Sequence, residues 1–239
     1  MFVFPVVQPL PIPQHSISLS RAAADNYLEL PSATLGTFST STFAVSFWVQ
    51  RGTLGGTGDG AFIGKGVDSS SSHFRIGFNS SNKLFVQTTK SSALDGEFIS
   101  TTTFNSSSTW YKFLIHFDLT NGTASNRLKV WYGLTAETAD GSSTNPTGAA
   151  DSNSSNVFLG RDLDTTDGQC LLYQTALFTG VLPPVGKTIT SIGTPKEVRR
   201  IVGIASLVDG TTGVPEYDRV LNTNWTETGN VIFNGDIPG

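Results

Sequence analysis

The stretch TWYKFLIHFDLTNGTASNRLKVWY, Thr109 to Tyr132, predicts a β-hairpin around which the fold can be built. Large apolar residues occupy every second position of both halves, which is the spacing of one face of a β-strand. These inward positions are Phe113, Ile115, Phe117 and Leu119 in the first half and Leu128, Val130 and Tyr132 in the second. The polar segment TNGTASN supplies the turn. The hairpin therefore has one apolar face that can pack in a core and one outer face.

The outer face of this hairpin carries a histidine and an aspartate two positions apart. His116 and Asp118 point the same way, but residues i and i+2 of a strand lie ~7 Å apart, too far for contact between short side chains. No activated serine or cysteine beside a base is identifiable, so nucleophilic catalysis is not expected. We predict instead that Trp131, His116 and Lys129 form a carbohydrate-binding surface, because a pyranose ring can stack on an exposed indole.

Other segments show the same alternation at short intervals along the chain. FAVSFWVQR (43–51) predicts a strand with alternate phenylalanines and valines on one face. HFRIGF (73–78) and KLFVQTT (83–89) flank an Asn/Ser-rich turn and predict a second hairpin. NVFLG (156–160) and QCLLYQTALF (169–178) flank a turn rich in Asp and Gly and predict a third pair of strands. Strands spaced in this way are typical of a sandwich or jelly roll.

The composition agrees with one all-β domain. Only 14% of the 239 residues are charged, against a usual share of roughly 25%, and Gly, Ser, Thr and Asn separate the apolar runs. We predict a two-sheet antiparallel jelly-roll sandwich over residues 15–239. One short helix is expected near residues 195–202, because Thr194, Pro195 and Glu197 form a capping box before an amphipathic run.

Residues 1–14, MFVFPVVQPLPIPQ, predict an extended arm outside the sandwich. Four prolines favour a polyproline-like conformation that cannot pack a core by itself. Phe2, Phe4, Val6 and Val7 are nevertheless large apolar side chains that are costly to leave in water. We expect these four side chains to bind a partner.

Charge and cysteine content exclude several classes of function. The net charge of −4 gives no basic field that would capture nucleic acid or an anionic membrane. Cys170 is the single cysteine, so an internal disulfide and cysteine-cluster zinc sites are excluded. The prolines and the lack of Lys or Arg before Arg21 do not fit a signal peptide. The sequence therefore predicts a protein that is made in the cytosol and stays soluble.

The turn GRDLDTTDGQ has two interpretations. Asp162, Asp164 and Asp167 could supply oxygen ligands to calcium, although the spacing departs from the EF-hand pattern and the closing Glu is missing. Asp and Gly are also ordinary turn residues. We expect no cofactor, and calcium stays an alternative.

The quoted strands, with YLELPSATLGTFSTSTFAVSFWVQRG and NVFLGRDLDTTDGQCLLYQTALFTGVLP, resemble the concanavalin A-like, laminin-G-like jelly roll. The resemblance covers about residues 15 to 185. The long Ser/Thr/Asn-rich form is similar to laminin-G-like proteins of tailed-bacteriophage virions.

This resemblance implies a bacteriophage virion structural protein, most simply a capsid decoration or head-associated protein that is also adhesive. Its partners would be the major capsid protein or copies of itself in a homo-oligomer, and cell-surface glycans. A tail fibre or a free carbohydrate-binding lectin module is the alternative. A glycoside hydrolase of the same superfamily is not expected, because the glutamates lie apart in the sequence from the partner carboxylates that such enzymes need. These glutamates are Glu29, Glu97, Glu137, Glu197, Glu216 and Glu227.

Overall fold

A computed structural model describes residues 16–19, 27–35, 39, 41–52, 60–66, 73–150, 156–160, 170–179, 204–207, 217–218, 223–224, 226–228 and 232–234. Several sequence predictions fall outside these ranges and stay predictions. They are the arm of residues 1–14 with Phe2, Phe4, Val6 and Val7, the helix near residues 195–202, and Asp162, Asp164 and Asp167.

Strands make up most of the described chain. In chain order they are β1 (Ser16–Leu19), β2 (Tyr27–Leu30), β3 (Thr42–Arg51), β4 (Gly60–Lys65), β5 (Phe74–Phe78), β6 (Lys83–Lys90), β7 (Ala93–Thr103), β8 (Trp110–Asp118), β9 (Leu128–Tyr132), β10 (Thr135–Ala136), β11 (Val157–Leu159), β12 (Cys170–Thr179), β13 (Ile204–Leu207), β14 (Tyr217–Asp218), β15 (Thr223–Asn224), β16 (Thr226–Thr228) and β17 (Ile232–Asn234). Two single turns of helix, α1 (Ser32–Leu35) and the 3-10 turn Ala124–Asn126, accompany them.

Two antiparallel sheets account for nearly all of these strands. The first has the order β10-β9-β8-β3-β12-β1-β17, with β13 also paired to β12, and the second has the order β16-β2-β11-β4-β5-β6-β7. A short pair, β14 with β15, lies apart from them. The all-β, two-sheet sandwich predicted from the sequence is confirmed.

The predicted hairpin is confirmed and lies toward one edge of the first sheet. β8 pairs with β9, and in register Phe117 lies opposite Leu128 while Ile115 lies opposite Val130. On its other side β8 pairs with β3, where Phe117 lies opposite Phe43. The alternation of apolar residues is therefore the inner face of three adjacent strands.

The predicted pairing of NVFLG with QCLLYQTALF is wrong. β11 pairs with β2 and β4 in the second sheet, whereas β12 pairs with β1, β3 and β13 in the first. The two strands therefore lie in different sheets. Alternation identifies the faces of a strand but does not say which strand lies beside it.

The core between the sheets is built largely from phenylalanine. The fully buried phenylalanines include Phe43, Phe47, Phe113 and Phe117 of the first sheet, Phe62 and Phe74 of the second, and Phe104 after β7. Phe43 and Phe117 stack with ring centroids 4.1 Å apart and planes 12° apart. Phe74 of the opposite sheet contacts both, at 5.4 Å and 5.7 Å between centroids. These contacts hold one sheet against the other.

Among the described residues, no helix has the length and apolar character needed to cross a membrane.

Replacing Phe117 by Ala is expected to lower the free energy of unfolding by about 3–5 kcal/mol, because the change leaves a cavity in the phenylalanine core. Leu94→Ala is the control, since Leu94 is 51% exposed and should cost under about 1 kcal/mol. Urea unfolding measures both variants. Equal losses for the two would contradict the placement of Phe117 at the centre of the core.

Candidate functional site

A groove lies between β9 of the first sheet and β7 of the second, with a volume of about 300 Å³. It is called the edge groove here. Its lining residues are Glu97, Phe98, Ser125, Leu128, Lys129, Val130, Glu137, Ala139, Asp140, Ser143, Thr144 and Asn145. This volume is at the lower end of the range found for small-ligand sites.

One wall of the edge groove is a loop that crosses from the first sheet to the second. This crossing loop, residues 137–148, leaves β9 where the Glu137 N–H donates to the Val130 carbonyl at 2.8 Å. It then runs alongside β7, where the Asp140 N–H donates to the Ile99 carbonyl at 2.8 Å. The groove is the space between β9 and the crossing loop beyond Glu137, where the loop departs from β9.

The crossing loop is fixed at its far end by close packing and by an arginine. A Cβ atom added to Gly96 would overlap the Pro146 ring, so the loop packs directly on the backbone of β7. The Arg127 guanidinium donates through Nη1 to the Pro146 carbonyl and through Nε to the Asn121 carbonyl, both at 2.8 Å. Arg127 therefore ties the loop to the turn that carries Ser125.

Apolar side chains form part of the groove lining, and polar ones surround them. Phe98, Leu128 and Val130 are buried members of the core that also line the groove. Hydroxyl, amide, amine and carboxylate groups make up the polar part. A ligand with several hydroxyl groups fits the polar part of this lining.

Three acidic residues are among those that line the edge groove. Glu97 lies on β7, and Glu137 and Asp140 lie on the crossing loop. The sequence does not predict that these residues line one groove, because their two segments lie about 40 residues apart and share no hydrophobic periodicity. The bridges between Glu97 and Thr144 and between Ser100 and Ala139 place the loop beside β7.

Each carboxylate is held in place by hydrogen bonds. Glu97 Oε1 accepts from Gln87 Nε2 at 2.7 Å, and Glu137 Oε1 accepts from the Thr102 N–H at 3.1 Å. Hydrogen bonds from Ser142 and from the Lys83 amine lower the pKa of Asp140 to about 2. Within the described ranges, no group of three His, Cys, Asp or Glu side chains is arranged to hold a metal ion.

The surface predicted from Trp131, His116 and Lys129 is brought together by the hairpin. His116 lies opposite Lys129 in register, and its ring lies 4.9 Å from the Trp131 ring in an edge-on arrangement. Trp131 and Lys129 are half-buried. Lys129 also lines the edge groove, so this predicted residue belongs to both surfaces.

The expectation that this outer face is open is wrong for its central part. His116 is only 8% exposed and Lys112 only 7%. Four apolar side chains on the same face of β3, β8 and β12 are fully buried: Ala44, Leu114, Ala176 and Phe178. The sheet is therefore covered on both sides at this point, and His116 is not accessible to a sugar.

Burial determines the ionisation of the two basic groups on this face. Desolvation lowers the pKa of His116 to about 4, although the charge of Asp118 opposes the shift. Desolvation also lowers the pKa of Lys112 to about 8, with its amine 5.0 Å from the centre of the Trp48 ring. Among the residues that the structure describes, buried His116 Nε2 has no hydrogen-bond partner, which favours the neutral imidazole.

Comparison with known proteins gives a family match and several similar folds. The family model Laminin_G_3, of the concanavalin A-like lectin/glucanases superfamily, matches residues 22–184. No curated protein matches the sequence. The native heptameric SAP-like pentraxin of Limulus polyphemus aligns with a TM-score of 0.57 at 10% identity, over 94% of this chain and 96% of the pentraxin chain. At this identity the alignment shows a shared fold.

Two further solved structures align with lower scores. The CBM40 of the Ruminococcus gnavus IT-sialidase, bound to α2,3-sialyllactose, has a TM-score of 0.48 at 12% identity, over 72% of this chain and 95% of that one. The Trypanosoma rangeli sialidase in complex with sialic acid has a TM-score of 0.44 at 11% identity, over 66% of this chain. This chain spans only 23% of that sialidase.

His116→Phe is expected to reduce the loss of stability in acid. The unfolded chain takes up a proton on His116 near pH 6.5, and the folded chain does so only near pH 4. The free energy of unfolding therefore falls as the pH drops through this interval, by about 3 kcal/mol in total at ~1.4 kcal/mol per pKa unit. Urea unfolding at pH 7 and pH 5 measures the difference. An unchanged pH dependence in the variant would contradict the burial of a neutral His116.

Proposed function

This chain belongs to the Laminin_G_3 family of the concanavalin A-like lectin/glucanases superfamily, and we propose that it is a carbohydrate-binding module whose site is the edge groove. The observation that supports this site is its lining. Residues with hydroxyl, amide, amine and carboxylate groups line it, and Phe98, Leu128 and Val130 are buried behind them. The hydroxyl groups of a pyranose can both donate to and accept from such polar groups.

The edge groove is a better candidate than the outer face of the hairpin. His116 is nearly covered, so a sugar could reach only Trp131 and Lys129 there. Lys129 is shared by both surfaces, and its amine can donate to a sugar hydroxyl bound in the groove. The predicted residue Lys129 is therefore kept in the proposed site, while His116 is assigned a structural role.

We propose binding without hydrolysis. A glycosidase needs one carboxylic acid that is protonated at the working pH and a second carboxylate at a fixed distance. The lowered pKa of Asp140 keeps this group ionised at neutral pH. Glu97 and Glu137 accept hydrogen bonds from Gln87 Nε2 and from the Thr102 N–H, and neither donor residue lines the groove.

Ser125→Trp is expected to weaken glycan binding by at least about tenfold, because Ser125 is an exposed residue of the groove lining and an indole there would fill the space. Ser81→Trp, at an exposed turn between β5 and β6, is the matched control and should bind like the wild type. The measurement is a glycan array, with and without calcium, followed by titration of the best ligand. An array without hits would refute the proposed function, and equal binding by Ser125→Trp would refute the groove as its site.

A second proposed role, favoured by the sequence of residues 1–14, is that of a bacteriophage virion subunit. A proline-rich segment is extended before it docks, so it loses little conformational entropy on binding a neighbour. Phe2, Phe4, Val6 and Val7 would then be buried in a capsid protein or in another copy of this chain. Symmetric assembly repeats such a contact on every copy. The fold is compatible with this role, since the similar pentraxin is a heptamer.

Deleting residues 1–14 is expected to leave the sandwich folded but to abolish incorporation into particles or self-association. Circular dichroism checks the fold, and particle purification or analytical ultracentrifugation checks assembly. Incorporation of the truncated protein at the wild-type level would contradict the role of the arm. Loss of folding would mean that the arm belongs to the core.

A further inference from the structure

The turn that joins β8 to β9 places an asparagine directly before a glycine, at Asn121 and Gly122. A main-chain nitrogen that follows an asparagine can attack Cγ of its side chain, and glycine leaves that nitrogen unhindered and its backbone free to rotate. In the whole sequence, Asn121 and Asn234 are the asparagines that a glycine follows. The turn therefore brings together the two groups that such a reaction needs.

Two hydrogen bonds orient the side chain of Asn121. The Thr123 N–H donates to Asn121 Oδ1 at 3.0 Å, and Asn121 Nδ2 donates to Asp118 Oδ2 at 2.9 Å. The first bond folds the side-chain carbonyl back over the following residue, which keeps Cγ beside the Gly122 nitrogen. The same bond stabilises the negative charge that Oδ1 gains when Cγ is attacked.

The Gly122 nitrogen is available for the attack. Within the described part of the chain, the Gly122 N–H donates no hydrogen bond, and the residue is exposed. A Cβ atom placed on Gly122 would meet no atom within 4 Å, so this part of the turn has room to rotate. No partner and no neighbouring side chain has to be displaced before the nitrogen reaches Cγ.

Comparable positions elsewhere in the chain lack one of these features. Asn145 precedes a proline, which has no N–H to attack with. Asp140 precedes a glycine, but hydrogen bonds from Ser142 and the Lys83 amine lower its pKa to about 2, and an ionised carboxylate resists nucleophiles. Asn234 also precedes a glycine, but it lies in β17, where the backbone pairs with β1.

We propose that Asn121 is a site of spontaneous covalent modification, at which the Gly122 nitrogen displaces the side-chain amide and the residue becomes aspartate or isoaspartate. The N–Cγ bond forms, the Cγ–Nδ2 bond breaks, and the proton of the Gly122 nitrogen leaves with the amide as ammonia. Water then opens the cyclic imide. Opening at Cγ gives aspartate, and opening at the main-chain carbonyl gives isoaspartate. One water is consumed and one ammonia is released, without an oxidant or a reductant.

The modification acts on the edge groove through Arg127. The Arg127 guanidinium donates to the carbonyl of Asn121 and to that of Pro146, both at 2.8 Å. In isoaspartate the Asn121 carbonyl becomes part of a free carboxylate, and the main chain runs through Cγ and is one carbon longer. The positions that Arg127 bridges therefore change. The converted form is expected to hold the crossing loop less firmly.

The test incubates the purified full chain at mildly alkaline pH, which speeds the loss of the Gly122 proton. Trypsin cleaves after Lys112 and Arg127, so one peptide, residues 113–127, carries both Asn121 and Asn126. Mass spectrometry measures the replacement of the amide by a carboxyl group, and chromatography separates aspartate from isoaspartate. We expect Asn121 to convert at least about tenfold faster than Asn126 in the same peptide and than Asn234.

Gly122→Ala tests the nucleophile. The added methyl group meets no neighbour and the φ angle of Gly122 is not positive, so the fold should be unchanged by circular dichroism. The conversion of Asn121 should slow by about tenfold, because the methyl group hinders the nitrogen and restricts the backbone. Gly141→Ala is the matched control: Gly141 has equally open surroundings and no positive φ, and the variant should convert at the wild-type rate.

Three results would overturn parts or all of the proposal. Equal rates at Asn121 and Asn126, or an unchanged rate in Gly122→Ala, would overturn the modification site. Conversion of Asn234 as fast as that of Asn121 would overturn the contribution of the turn. Amide hydrogen exchange tests the link to the crossing loop: the Asp140 N–H, which donates to the Ile99 carbonyl, should exchange several-fold faster in the converted protein. Equal exchange before and after conversion would overturn that link.

Discussion

The contact between phenylalanine side chains of the two sheets is the interaction on which the structure depends. Phe43 and Phe117 stack within the first sheet, and Phe74 of the second sheet packs against both of them. Farther along, Phe47 meets Phe62 edge to face at 5.5 Å. Offset and edge-on contacts of this kind stabilise a core beyond the burial of apolar area. The sheets must therefore face each other, and the loops must cross between them at the edges.

The edge groove follows from this constraint. The crossing loop leaves β9 at Glu137, crosses between the sheets and packs on Gly96 of β7. Arg127 fixes the loop to the turn beside it. Because a rigid strand carries Lys129 and hydrogen bonds fix the crossing loop, the site is formed before a ligand arrives. The first sheet is covered on its outer side at His116, which leaves the edge as the more accessible polar surface.

The sequence predicted the parts of this structure that depend on alternation, and not those that depend on contact between distant segments. The faces of β3, β8 and β9 follow directly from their period of two. The apolar residues Ala44, Leu114, Ala176 and Phe178 indicated in the sequence that the outer face of the first sheet is covered. Apolar residues on a second face do not, however, identify what lies over them. The predicted pairing of β11 was wrong because alternation carries no information about which strands lie beside each other in a sheet. The edge groove had no signal in the sequence, since a loop without periodicity forms one of its walls.

The most direct test of the central claim is to map a bound sugar by NMR, following backbone amide shifts of the full chain during titration with the tightest-binding glycan. We expect the largest changes at Leu128, Lys129, Glu137 and Thr144, on both sides of the edge groove. Small changes there, with the largest ones around Trp131 and Trp48, would contradict the groove as the binding site and would place the ligand on the outer face of the first sheet.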